Sequence, residues 1–262
     1  MFGPGSAAWR IGGERLVTVV GGGRALLMQI AHPLVAAGVA DHSDFEADPF
    51  ARLWRTIGVV LDVVFGDHDQ AAAAAERVNR IHAEVVGERD GSPYRALEPE
   101  LLLWVHATLV DTALVTYARF VRPVAPAEGD RYYQEMKRSA ALFRVPDDIL
   151  PPDLPAFRRY LRTEISRLRV GEEARRLAGG ILDPPLPWPL APAGYLLRQA
   201  TIGLLPARLR SAFGFCWTEN RERVLRASAW IIRRTLPLLP ANIVRWPHVR
   251  ASQARSELSE RE

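Results

Sequence analysis

One cysteine, Cys216, is all that the chain contains. No internal disulfide can form, and no multi-cysteine zinc or iron–sulfur site can be assembled. That scarcity suits a reducing, cytoplasmic compartment. Lysine is equally scarce: Lys137 stands alone, so the net charge of +4 comes almost entirely from arginine. Arg158, Arg159, Arg162, Arg167 and Arg169 are interleaved with apolar residues rather than with aromatics. They read as a solvated helix face, not as a nucleic-acid platform. The opening MFGPGSAAWRIGGERL lacks a charged stretch followed by an apolar one, so it does not read as a signal peptide. No window reaches the roughly 18 uninterrupted apolar residues of a spanning helix. The expectation is a protein that at most lies on a membrane surface.

Strand signals are also nearly absent. Leu16–Val20 is the nearest, followed by the glycines at 21–23; helical periodicity dominates elsewhere. The fold class expected is all-α. At 262 residues, 48% hydrophobic, the chain can bury a sizeable core, read here as one domain over 1–262. A proline-rich linker near 183–192 precedes C-terminal helices that wrap the body. Gly21-Gly22-Gly23 fits neither a G-x-G-x-x-G nor a G-K-[ST] phosphate loop, so it reads as a site of close helix packing or a tight entry turn. Asp48-Pro49 starts a helix with Phe50, Leu53, Trp54, Ile57, Leu61 and Val64 on its buried face. A second helix, Gln70 to Val86, has Val78, Ile81, His82 and Val85 on one face, followed by a loop over 87–92. Glu98-Pro99 opens a central apolar helix to Phe120. After Pro240 a polar, frayed tail is expected.

Chemistry has few candidates. No H-E-x-x-H zinc signature and no G-x-S-x-G elbow are present. Glu46, Asp48 and Asp111 could converge as carboxylates, but no spacing argues for it. A haem asks for less: an axial histidine on a helix, apolar walls and cations for the propionates. His82 and His106 meet the first demand. Arg52 and Thr56 lie four apart on one helix side, beside Arg55. The plainer reading stands next to this one, with His82 as a hydrogen-bonded core residue and Arg52 and Arg55 as ion-pair partners of Glu46 or Asp48.

Several ordered blocks carry a resemblance. They are LLMQIAHPLVAAGVADHSDFEADPFARLWRTIGVVLDVVFG, RVNRIHAEVVG, YRALEPELLLWVHATLVDTALVTYARF and YYQEMKRSAALFRVP. Together, over roughly Gly12 to Leu239, they resemble the family of rubber oxygenase (latex clearing protein) and the fungal MpaB-type oxygenases, as a short bacterial member. The resemblance implies a helical fold with a globin-like core, and haem b with His82 as proximal iron ligand. Arg52, Arg55 and Thr56 then stand on the distal side as catalytic residues. Arg55 replaces a lysine that can coordinate iron in the rubber enzyme, and a guanidinium cannot take that role. His42 is a candidate for the sixth position, and His42, His106 and Arg52 for contacts with the cofactor.

The implied activity is that of a haem oxygenase using dioxygen on a hydrophobic, isoprenoid or lipid-like substrate, walled by Leu53, Ile57, Leu103, Ala107 and Val110. An electron donor, a homo-oligomer and a peripheral membrane contact are compatible with it. Two other readings remain open: a haem-binding or sensing protein without turnover, and a cofactor-free helical protein of membrane surfaces or interactions. The basic stretch Arg221 to Arg234, interrupted by Trp230, Ile231 and Ile232, supports the last.

Overall fold

The β-branched run Leu16–Val20 forms no strand. In the computed structural model it lies within α2 (Arg15–Ile30), which follows a short α1 (Ala7–Gly12). The structure describes residues 1–42, 49–89, 91–184 and 187–249, and of residues 49–53 the backbone alone. Ser6 caps α1, accepting from Trp9 N at 3.1 Å, and the Glu135 carboxylate accepts from Ala7 N and Ala8 N at 3.2 and 2.7 Å. These bonds satisfy orphan donors of the first turn.

Pro33 cannot continue α2, because it lacks an N–H and clashes with the preceding turn. The chain instead bends by 106° into α3 (Pro33–His42). Next come α4 (Pro49–Phe65) and α5 (His68–Glu84). The expected loop over 87–92 is a β-hairpin, β1 (Val86–Arg89) with β2 (Ser92–Arg95), in antiparallel register Val86↔Arg95 to Arg89↔Ser92. Its signal was the dipeptide Asp90-Gly91, since a two-residue turn needs positive φ and Gly91 sits at +74°.

The central helix is α6 (Pro99–Phe120), with Pro99 at its first position as expected. It is long and apolar enough to cross a membrane, but two-thirds of its most apolar window is buried within the protein, as in a core helix. Gly21 explains how closely α2 approaches it. A Cβ there would lie 2.8 Å from Thr112 Cγ2 and 3.0 Å from Thr116 Oγ1. The triplet is a packing device, not a phosphate loop.

Beyond α6 run α7 (Pro126–Leu142), α8 (Leu154–Arg167) and α9 (Glu172–Leu182). The arginines of α8 are exposed while Leu154, Phe157 and Leu161 face inward. After a 3-10 turn at Trp188–Leu190, α10 (Ala191–Leu204), α11 (Ala207–Ala212), α12 (Glu219–Thr235) and α13 (Ala241–Val244) complete the described chain, which is all-α apart from the hairpin. The tail does not fray at Pro240. Trp246 N donates to Gly13 O at 3.1 Å, Arg15 Nε donates to Arg245 O at 2.9 Å, and Trp246 and Val249 are buried in the main core. Burial of those two apolar side chains outweighs the polarity of their neighbours. Residues from 250 onward lie outside the described residues.

Candidate functional site

Helices α4 and α5 form a helical hairpin, and its turn is fixed by three residues. Gly66 N donates to Asp62 O at 2.8 Å, and a Cβ on Gly66 would fall on that same carbonyl oxygen. Asp67 then caps α5. Its carboxylate accepts from Gln70 N at 2.8 Å, and its own N–H donates to Gln70 Oε1 at 3.1 Å, a complete capping box. Arg77 reaches back to Asp62 at 3.3 Å.

Register follows from the two-residue turn: α4 ends at Phe65 and α5 starts at His68, so residues equally far from the turn come level. His82 is then level with residue 51 at the start of α4, and Thr56 with Arg77. Thr56 and His82 therefore lie about 7.5 Å apart along the hairpin, in its outer half. Both are half-buried.

The inward stripe of α5 is Ala71, Ala74, Ala75 and Asn79, and His82 is its next member at helical spacing. The expected partner Ile81 points outward instead, 62% exposed. The alanines are what let the helix sit so close, and Asn79 Nδ2 ties it to the end of α7 by donating to Leu142 O at 2.9 Å. On α4, Ile57, Leu61 and Val64 are buried as expected. Trp54 is not: it is 54% exposed and meets Trp246 edge-on at 6.2 Å. Arg55 is exposed. The side chains of Phe50, Arg52 and Leu53, and all of Glu46 and Asp48, lie outside the described residues.

His42 ends α3 and reaches the hairpin that follows α5. Its ring Nε2 lies 3.0 Å from Val86 O, four residues beyond His82. A carbonyl only accepts, so this contact assigns the proton to Nε2 and leaves Nδ1 as the basic nitrogen. A network missed by the sequence reading holds the same corner. Asp41 accepts from Tyr94 Oη at 2.6 Å and pairs with Arg89, which also lies 3.7 Å from Glu173 of α9. The Tyr94 hydrogen bond, reinforced by Arg89, holds the Asp41 carboxyl below its usual range. Burial first, then Asp41, pushes the Tyr94 phenol up to about 12. These residues anchor the end of α3, directly before the segment that leads to Arg52.

His106 lies elsewhere, on the α6 stripe of Leu102 and Val110. Leu102 packs there with Ala140 of α7. The ring is fully buried, which lowers its pKa to about 4, and its Nε2 has no hydrogen-bond partner. Ile57, Ala107 and Val110 belong to the main core, whereas Leu103 belongs to the cluster around Leu102. Asp111 does not join Glu46 or Asp48 in a carboxylate pair that the structure describes; it binds Arg24 at 2.5 Å. The guanidinium of Arg24 also donates to Thr112 Oγ1 and to Leu204 O. No local spacing marks Arg24 as a buried cation, because its partners lie about 90 and 180 residues away. Among the described residues no three His, Cys, Asp or Glu side chains gather as a metal cluster.

An all-α chain with single imidazoles on helices is the class that this geometry defines. The catalytic domain of ER-bound oxygenase mpaB/B′ and rubber oxygenase matches residues 9–234. The chain belongs to that family. It is 30% identical over 224 residues to an uncharacterised protein of Mycobacterium bovis and to one of Mycobacterium tuberculosis. In each case the match covers 82% of this chain and 87% of the relative. No solved structure matches.

Proposed function

We propose that the chain is a haem b-dependent oxygenase of a hydrophobic, isoprenoid or lipid-like substrate. In this reading His82 would hold the haem iron, and Arg52, Arg55 and Thr56 would supply the polar groups that act on bound oxygen. The observation that carries the reading is the hairpin register, which sets half-buried His82 level with the first turn of α4, next to position 52, and half-buried Thr56 about a turn and a half nearer the bend. Membership in a family of oxygenase catalytic domains supports the reaction class.

The residues present fit the group. A half-buried imidazole on a helix that packs against the apolar face of α4 would suit the iron of a haem. Haem, when bound, supplies the redox chemistry of dioxygen activation that no side chain can. The chain's residues supply the rest. His82 binds through its neutral ring, since a protonated imidazole has no lone pair to offer. A guanidinium donates hydrogen bonds and stabilises negative charge without ligating iron, which is the role proposed for Arg52 and Arg55. The Thr56 hydroxyl both donates and accepts. Buried Ile57, Ala107 and Val110 keep water from the inner side.

The test is the absorption spectrum of purified, haem-reconstituted protein before and after dithionite. The expected result is a Soret band that moves on reduction and is lost in His82→Ala. An unaltered band in that variant would remove His82 from the axial position, and absence of any band would sink the cofactor assignment. Oxygen uptake with isoprenoid or unsaturated lipid substrates separates an oxygenase from a haem protein without turnover.

A further inference from the structure

Charge is distributed very unevenly along the chain. Residues 184–262 hold twelve arginines against five glutamates, a net charge of +7. Residues 1–183 hold 22 basic and 25 acidic side chains. The cationic third is also where large apolar side chains stand in solvent. Trp188 is 86% exposed, Leu238 81% and Trp230 60%, and Tyr195, Leu196 and Ile231 are exposed with them.

These residues come from two segments that the fold brings together. A Cβ on Gly203 of α10 would meet Leu225 of α12. Ala200 and Ala229, about one turn further along each helix in opposite directions, are buried in the same cluster. The two helices therefore run antiparallel. Stepping away from that contact, Tyr195 and Leu196 come level with the end of α12, and the Trp188–Leu190 turn comes level with the Leu236–Leu238 turn. Arg226 and Arg234 are exposed on α12, and the Arg234 guanidinium lies 5.5 Å from the centre of the Trp230 ring.

We infer that this face docks on an anionic phospholipid bilayer. Exposed tryptophan, tyrosine and leucine favour an apolar phase, while the arginines beside them favour negative charge at its boundary; an anionic membrane interface offers both within one surface. A second copy of the chain suits the face poorly, since a two-fold contact would set this cationic surface against itself. The inference stands on charge and exposure and does not depend on the haem assignment.

The experiment is co-flotation of the full chain with vesicles of phosphatidylcholine alone or mixed with phosphatidylglycerol. Binding to the mixed vesicles is expected, with little to phosphatidylcholine, and it should weaken as salt screens the arginines. The double variant Trp230→Ser, Leu238→Ser changes only exposed side chains, so its circular dichroism should be unchanged while partitioning falls by about tenfold or more. Failure to float with the mixed vesicles would overturn the inference. So would equal binding to both vesicles, or a dimer in lipid-free solution that the double variant dissolves.

Discussion

Arg24 and Asp111 meet at 2.5 Å with the guanidinium almost wholly buried, and that guanidinium also holds Thr112 and the last carbonyl of α10, Leu204 O. One side chain thus joins α2, α6 and α10. Arg24→Ala would leave three acceptors without their donor in a site shielded from water, and a loss of about 3–5 kcal/mol is expected from urea unfolding. The double variant Arg24→Met, Asp111→Leu should recover most of that loss, because it removes both charges together. If the two were no better than the single change, the pair would not be the source of the effect.

The approach of α2 to α6 gives a second prediction. Gly21→Ala puts a methyl group 2.8 Å from Thr112 Cγ2, an overpacking that should cost about 1–3 kcal/mol. Thr112→Ser removes the offending methyl and keeps the oxygen that accepts from Arg24, so it should restore much of the stability in the Gly21→Ala background. Thermal unfolding of the three variants reads this out. Additive losses would count against the steric account.

Gly66 sets the register on which the proposed haem site rests. Gly66→Ala would drive its new carbon into the Asp62 carbonyl and open the turn between α4 and α5. Lower stability is expected together with weaker haem retention, measured by transfer of haem to an acceptor protein. Full retention at reduced stability would separate the turn from the site.

Acid should destabilise the protein through His106. Burial lowers its folded-state pKa to about 4, whereas the unfolded ring titrates near its ordinary value of 6.5. Its contribution is therefore fully present above about pH 6.5 and is lost as pH falls towards 4, up to about 3 kcal/mol. Burial lowers the His32 pKa too, which adds in the same direction. His106→Leu also removes the partnerless Nε2, so stability in that variant should be at least that of the parent at neutral pH and should fall less in acid. Urea midpoints across this range provide the check; parallel curves for parent and variant would show that the ring is not the group responsible.

Local signals carried much of the fold. Pro33, Pro99 and Pro126 start helices because a missing N–H costs nothing at a first helical position. Leu16–Val20 was the most ambiguous stretch, since a β-branched run next to glycines resembles a strand until its packing against α6 is known. Trp54 and Ile81 obeyed helical spacing but sit at the edges of their faces, and periodicity does not say where a face ends. In the site, Gly66 followed by Asp67 and Gln70 is a local signal, a glycine at a helix end and then a capping box. Arg24 with Asp111, and Asp41 with Arg89 and Tyr94, were not. Their partners lie tens to hundreds of residues away, and no spacing rule reaches that far.

The contact between Gly13 and Trp246 has a consequence for synthesis. Gly13 leaves the ribosome more than 230 residues before the segment that covers it. At about 5–20 residues per second, that is about 10–50 s during which one flank of the amino-terminal core stands bare. Native closure of that flank thus cannot precede the synthesis of Trp246. A chain released shortly after Pro240 would carry the complete proposed haem pair and still lack the clasp that holds its beginning in place.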